Sequence, residues 1–155
     1  MWFKKNPMEM ILQKATELGV SKIIPIISER TEVKELNNDR AKKIVIEATE
    51  QSNQMSPPKI LEITKLEDFL KNLDETTKLL FADVNSKDNL SVEKFQKFKS
   101  LCILIGPEGD FSPSERQSIL SFSQVVPFTM SKNILRSDTA VISAISLVNF
   151  INNLP

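Results

Sequence analysis

The sequence predicts an α/β domain with a mainly parallel sheet flanked by helices, and three observations carry that prediction. Short apolar blocks of strand length (KIIPII, KILEI, KLLFADV, LCILI) alternate with segments whose apolar residues recur at helical spacing. KLLFADV and LCILI are near-continuous apolar runs, the pattern of strands buried on both faces. The chain has 155 residues, 41% of them apolar, which suits one core and not two.

Each element has its own local reason. Asn6-Pro7-Met8-Glu9 reads as a helix start, with Asn as N-cap, Pro at the first helical position and Glu three after the cap. Met8, Ile11, Leu12, Ala15 and Leu18 then share one face, and Gly19 supplies the stop. KIIPII (Lys22 to Ile27) follows as a strand that Pro25 makes irregular or edge-like. A second helix is expected from Asp39 to Ser52, with Ala41, Ile44, Val45 and Ala48 inward, and Ser56-Pro57-Pro58 breaks the chain after it. KILEI is a short strand and Leu66 to Leu73 a short helix. Lys78 to Val84 and Leu101 to Ile105 are the buried strands, and the polar stretch Asn85 to Ser100 between them is part loop, part helix. Ser112-Pro113-Ser114-Glu115 is a capping box that opens a helix to Ser121, and a strand follows at Val125 to Phe128. Ser137 to Asn152 is a helix apolar on most sides, which must be buried by its own core or by a partner chain.

Composition excludes more than it suggests. With no histidine and one cysteine, Ser-His-Asp and Cys-His catalysis are excluded, as are His-containing and Cys-rich metal sites; no metal is expected. Neither G-x-x-x-x-G-K-[ST] nor G-x-G-x-x-G occurs among the three glycines Gly19, Gly106 and Gly109. No apolar run approaches the roughly 18 residues of a membrane span, and the N-terminus lacks a signal-peptide core, so no membrane partner is expected. Cys102 inside LCILI reads as a buried, reduced thiol, and the expected address is cytoplasmic. Twenty basic and twenty acidic residues cancel, so no long-range field draws the whole chain to nucleic acid. The local clusters Lys4-Lys5 and Arg40, Lys42, Lys43 read as solvated helix faces.

Three places could carry chemistry. In open α/β sheets ligands bind beyond the carboxyl ends of strands, which singles out the junction Ile105-Gly106. The GPEG that begins there is either an ordinary strand-to-helix turn or a tight loop whose main-chain groups hold an adenosine-like ligand. Arg136 lies just before Ser137, the expected N-cap of the most apolar helix, where the helix dipole disfavours a cation. It is compensated either by a salt bridge to Asp138 or Glu108, or by an anionic ligand. Glu47, Glu50 and Gln51 share a face of the second helix, as solvated surface or as contacts, with Arg30 following the first strand.

Taken in order, QKATELGVSKIIPIISERT (Gln13 to Thr31), RAKKIVIEATEQSNQ (Arg40 to Gln54), ILIGPEGDFSPSE (Ile103 to Glu115) and ILRSDTA (Ile134 to Ala140) resemble the RsmE family. These are the 16S ribosomal RNA uridine N3-methyltransferases of the SPOUT superfamily. The resemblance implies that residues 1–155 form a SPOUT methyltransferase domain with a C-terminal trefoil knot, although threaded chains are rare exceptions. It implies S-adenosylmethionine as cofactor, 16S ribosomal RNA or the small ribosomal subunit as partner, and a homodimer through the knot and C-terminal helix. The cofactor would lie against Phe81 and Ala82, then Leu104, Ile105, Gly106 and Gly109, then Met130, Ser131, Ile134, Leu135, Thr139 and Ala140, mostly through main-chain atoms. The family's N-terminal β-barrel and most of the strand after it would fall outside these 155 residues. Two glycines usual in the family are replaced, by Asp110 in GPEGD and by Ser131, and the expected consequence is a narrowed cleft or strained backbone.

S-adenosylmethionine carries an activated methyl group, so the protein must place uracil N3 and help remove its proton. Arg136 is the expected stabiliser of the resulting charge, Glu108 the expected proton acceptor with Asp138 in reserve, and Arg30, Glu50 and Gln51 the expected substrate contacts. The rival reading is a non-catalytic, truncated dimeric module that keeps the fold, with or without the cofactor, but does not engage ribosomal RNA.

Overall fold

The computed structural model describes residues 6–32, 34–91 and 100–153. Lys4 and Lys5, and residues 92–99 of the polar stretch, lie outside them.

Helix α1 (Pro7–Glu17) starts as its sequence dictates: the Asn6 side chain accepts the Met8 amide at 3.1 Å, and Pro7 is the first helical residue. It stops at Gly19, whose φ of +85° is the left-handed conformation a helix end requires. The single strand expected at KIIPII is two, β1 (Lys22–Ile23) and β2 (Ile26–Ile27). Pro25 has no amide to give a ladder, so pairing with β3 (Lys59–Ile60) ends and the chain re-pairs with β4 (Thr64–Lys65). Pro25 still accepts, taking the Thr64 amide at 3.1 Å. Helix α2 (Asn38–Gln51) begins one residue before the expected Asp39, because Asn37 caps it through the Arg40 amide at 3.0 Å. Short α3 (Leu66–Lys71) follows β4 directly.

The central sheet has the order β6-β5-β7, from β5 (Thr77–Ala82), β6 (Ser100–Leu104) and β7 (Val125–Phe128), and both pairings are parallel. Helix α4 (Pro113–Leu120) joins β6 to β7 and carries the full capping box: Ser112 Oγ accepts the Glu115 amide and Glu115 accepts the Ser112 amide. Helix α5 (Ser137–Asn152) closes the chain, with Arg136 and not Ser137 at its N-cap and no side-chain cap bond.

Strand alternation divides the core. Leu79, Phe81, Cys102 and Leu104 face one side of the sheet, packed with Leu66, Phe69 and Leu70 of α3 and Ile119 of α4. Leu80, Ile103, Val126 and Phe128 face the other, against Ala144, Val148 and Ile151 of α5. The adjacent stripe of α5, Val141 and Ile145, packs on Ala15 of α1, and Leu12 of α1 packs on Ala41, Ile44 and Val45 of α2. One face of the sheet thus carries α3 and α4 and the other carries α5, with α1 packed beside α5 and α2 on α1. Much of the apolar circumference of α5 is covered within the chain, although Phe150 stays 66% exposed. Asn149 Nδ2 donates to Leu18 O at 2.8 Å, tying α5 to the end of α1. Among the described residues no helix is long and apolar enough to cross a membrane.

Candidate functional site

Because β5, β6 and β7 are parallel and in register, with Ala82 opposite Phe128 and Phe81 opposite Leu104, their carboxyl ends leave the sheet together. The loops that follow line a cleft of about 220 Å³. Its walls are Ala82, Asp83 and Val84 at the end of β5, Ile105 to Asp110 after β6, and Phe128 to Ser131, Asn133 to Leu135, Ser137 and Ala140 from the end of β7 onward.

Nine of the twelve residues expected around a cofactor fall on this lining: Ala82, Ile105, Gly106, Gly109, Met130, Ser131, Ile134, Leu135 and Ala140. Three do not. Phe81 and Leu104 are core residues, 1% and 4% exposed, because the two-residue period of their strands turns them onto the α3–α4 side. Thr139 is exposed on the first turn of α5, and its amide donates to Asp138 Oδ1 at 3.1 Å. Glu108 lines the cleft and Arg136 does not. The Arg136 guanidinium lies 3.6 Å from Asp138 and 3.9 Å from Glu108, both long contacts on an exposed side chain, so these ion pairs contribute little. Glu50 and Gln51 are exposed on α2 and off the lining, since that helix turns Ala41, Ile44 and Val45 to α1. Arg30 also stands off the lining, but its Nη1 donates to Gly109 O at 2.8 Å.

The GPEGD loop is tight for steric reasons. The Asp110 amide donates to Pro107 O at 2.8 Å, closing a turn. A Cβ on Gly106 would sit 3.1 Å from Asp110 Oδ1 and 3.3 Å from the Phe111 ring. Phe111 leaves the loop for the core and meets Phe81 edge-on, ring centroids 5.7 Å apart. Asp110 occupies the left-handed region at φ +59°, where most residues other than Gly, Asn and Asp are disfavoured. Its own Oδ1 accepts the Phe111 amide at 2.8 Å, local compensation that Ala lacks. The strain expected from two lost glycines therefore falls on Asp110 alone. Ser131 has no positive φ and orders its loop, accepting the Asn133 amide on Oγ at 3.0 Å.

Sequence reasoning missed the best-held charge at the cleft. Asp83 follows β5 with its side chain 1% exposed, and Arg116 of α4 grips it with Nη2 to Oδ2 at 2.8 Å and Nε at 3.1 Å. The Asn85 amide adds a third donor at 3.0 Å. The bond to Asp83 raises the Arg116 pKa further, opposed by partial burial and reinforced by the charges of Asp83 and Asp110. The pair bolts the wall after β5 to the helix after β6. A charged residue closing the buried run KLLFADV was the available signal.

Apolar side chains (Ile105, Phe128, Met130, Ile134, Leu135) supply flat contact for a base. The carboxylates Asp83, Glu108 and Asp110 are the charged groups on the lining; Arg116, off the lining, neutralises Asp83, and Arg136 stands 3.9 Å from Glu108. That donor set suits a cation bearing an aromatic base and is poorly suited to a free polyphosphate.

Residues 1–149 match the family model described as the RNA methyltransferase domain. The chain belongs to this family. Ribosomal RNA small subunit methyltransferase E of Rickettsia conorii is 33% identical over 153 residues, which cover 97% of this chain and 62% of that protein. Its namesake in Aquifex aeolicus is 37% identical over 155 residues, covering 92% and 63%. The crystal structure of a ribosomal RNA small subunit methyltransferase E from Neisseria gonorrhoeae bound to S-adenosyl methionine shares the fold with a TM-score of 0.86 at 30% identity. That likeness covers 96% of this chain and 62% of the other. Within the family the chain is RsmE-like, and it spans about 62% of the length of the relatives it matches.

Proposed function

We propose that residues 1–155 are a SPOUT methyltransferase domain that methylates uridine N3 in 16S ribosomal RNA with S-adenosylmethionine. The observation that carries this is the cleft at the carboxyl ends of β5, β6 and β7, built around GPEGD in a chain of the RNA methyltransferase family. The reading extends to a cytoplasmic homodimer joined through a C-terminal trefoil knot and α5, which suits the exposed Phe150.

S-adenosylmethionine supplies, when bound, a methyl group already activated for transfer. Ile105, Met130 and Leu135 would flank its base, and Asp110 would favour its positive charge. The remaining work belongs to the chain's own groups. Glu108, on the lining, accepts the imide proton of uracil N3. Arg136 is exposed and held only by long ion pairs, so it is free to reach the carbonyl oxygens on which charge develops, or a neighbouring phosphate. Asp138 then serves as its anchor.

The test is transfer of labelled methyl from S-adenosylmethionine to unmodified small ribosomal subunits, followed by nucleoside analysis. Label in N3-methyluridine is the expected result, and Arg136→Ala should abolish it while leaving cofactor binding largely intact. Cofactor binding without any transfer would support the non-catalytic module instead, a reading favoured by the absence of basic side chains among the described residues of the lining.

A further inference from the structure

Residues 28–31 form a closed turn, with the Ser28 amide donating to Thr31 Oγ1 at 2.9 Å and the Thr31 amide to Ser28 O at 3.2 Å. Two long-range hydrogen bonds join it to the segment after β6. The Glu29 amide donates to Glu115 Oε1 at 2.8 Å, while Glu115 Oε2 accepts the Ser112 amide at 3.0 Å. Arg30 Nη1 donates to Gly109 O at 2.8 Å, and the arginine stem lies against the same residue, where a Cβ would be 3.5 Å from Arg30 Cβ.

The Gly109–Asp110 peptide is therefore fixed at both polar ends, its carbonyl by Arg30 and its amide by Pro107 O. This matters because Asp110 has φ +59°. A flip of that one peptide plane would return Asp110 to an ordinary negative φ, relieving a conformation that L-residues disfavour. It would also turn the Gly109 carbonyl away from Arg30 and change which polar group the loop presents to the cleft. The Arg30 hydrogen bond opposes that flip together with the bond from the Asp110 amide to Pro107 O.

We propose that Arg30 is a positioning residue for the cofactor loop, holding the Gly109–Asp110 peptide in its strained orientation, and not a contact to the RNA. The proposal rests on the reading of the cleft as an S-adenosylmethionine site.

Calorimetric titration of S-adenosylmethionine into the full chain tests it, with Arg30→Ala, Arg30→Lys and the double variant Arg30→Ala/Asp110→Gly. One exposed hydrogen bond predicts a loss of about three- to tenfold in affinity for Arg30→Ala, with little change in melting temperature. Lysine keeps the stem and one donor and should restore part of the loss. The decisive arm is the double variant: glycine occupies the left-handed region freely, so Asp110→Gly should return affinity close to wild type. Unchanged affinity in Arg30→Ala, or a loss that Asp110→Gly does not relieve, overturns the proposal. If the folded wild-type chain binds no cofactor, the reading of the cleft fails. Residual dipolar couplings at residues 109–111 then decide the proposal separately: a left-handed Asp110 that persists in Arg30→Ala refutes it, and a flipped peptide upholds it.

Discussion

Arg116→Met removes the guanidinium from a carboxylate that solvent barely reaches. Breaking a fully buried ion pair by deleting one partner destabilises by about 3–5 kcal/mol, because the remaining charge is stranded. Two features of this site reduce that figure. The Arg116 side chain is 33% exposed, so its loss opens a path for water to Asp83, and Asp83 keeps the Asn85 amide. We expect a loss of about 2–3 kcal/mol, or roughly 4–12 °C in melting temperature for a domain of this size. Asp83→Asn should be milder, about 1 kcal/mol, since the amide keeps the volume and the freed guanidinium can hydrate. The double variant should be more stable than Arg116→Met alone, because no charge is left stranded. Urea denaturation followed by far-ultraviolet circular dichroism measures all three. Equal losses in the two single variants, or less than about 1 kcal/mol for Arg116→Met, would refute the reasoning that Asp83 depends on this partner for its charge.

Gly106→Ala should weaken S-adenosylmethionine binding and lower stability by about 1–3 kcal/mol, the usual range for overpacking. Its Cβ would sit 3.1 Å from Asp110 Oδ1 and 3.3 Å from Phe111, and the loop must shift to admit it; calorimetry and thermal melting read the two effects. Burial pushes the Cys102 thiol up from 9.0 to about 11. Between those values the unfolded chain holds fewer protons than the folded one, so stability falls as pH rises through that window and is unaffected by the thiol below it. Wild type compared with Cys102→Ala in denaturation series should show an extra loss of about 2–3 kcal/mol by the top of that range; parallel curves would contradict it. At neutral pH the thiol should react slowly with disulfide reagents until the chain is unfolded.

Features set by neighbours in sequence were legible in advance. The Asn6 and Ser112 caps, the Gly19 stop and the strand LCILI need only a few consecutive residues, and each folds as its local chemistry requires. Pro25 announced an irregularity but not its form, since which strand takes over the pairing depends on β4, two residues with no apolar alternation. The resemblance places Phe81 and Leu104 at the cleft by their position along the chain. The side to which each turns is fixed by the register of β5 against β6, and only the folded sheet supplies that. The pairs that shape the cleft, Asp83 with Arg116 and Arg30 with Gly109, lie 33 and 79 residues apart. No periodicity encodes such contacts. The resemblance to a family singles out the three loops that line the cleft, and the geometry shows which of their residues lie on its walls.

The central claim is that the cleft after β5, β6 and β7 holds S-adenosylmethionine. Titrating the ligand into isotope-labelled protein and following backbone amide resonances tests it most directly. The account predicts saturable shifts concentrated at Gly106, Gly109, Met130, Ser131 and Leu135, with α2 unmoved. Absence of shifts in a folded sample, or shifts centred on the exposed face of α2 around Glu50 and Gln51, would contradict it.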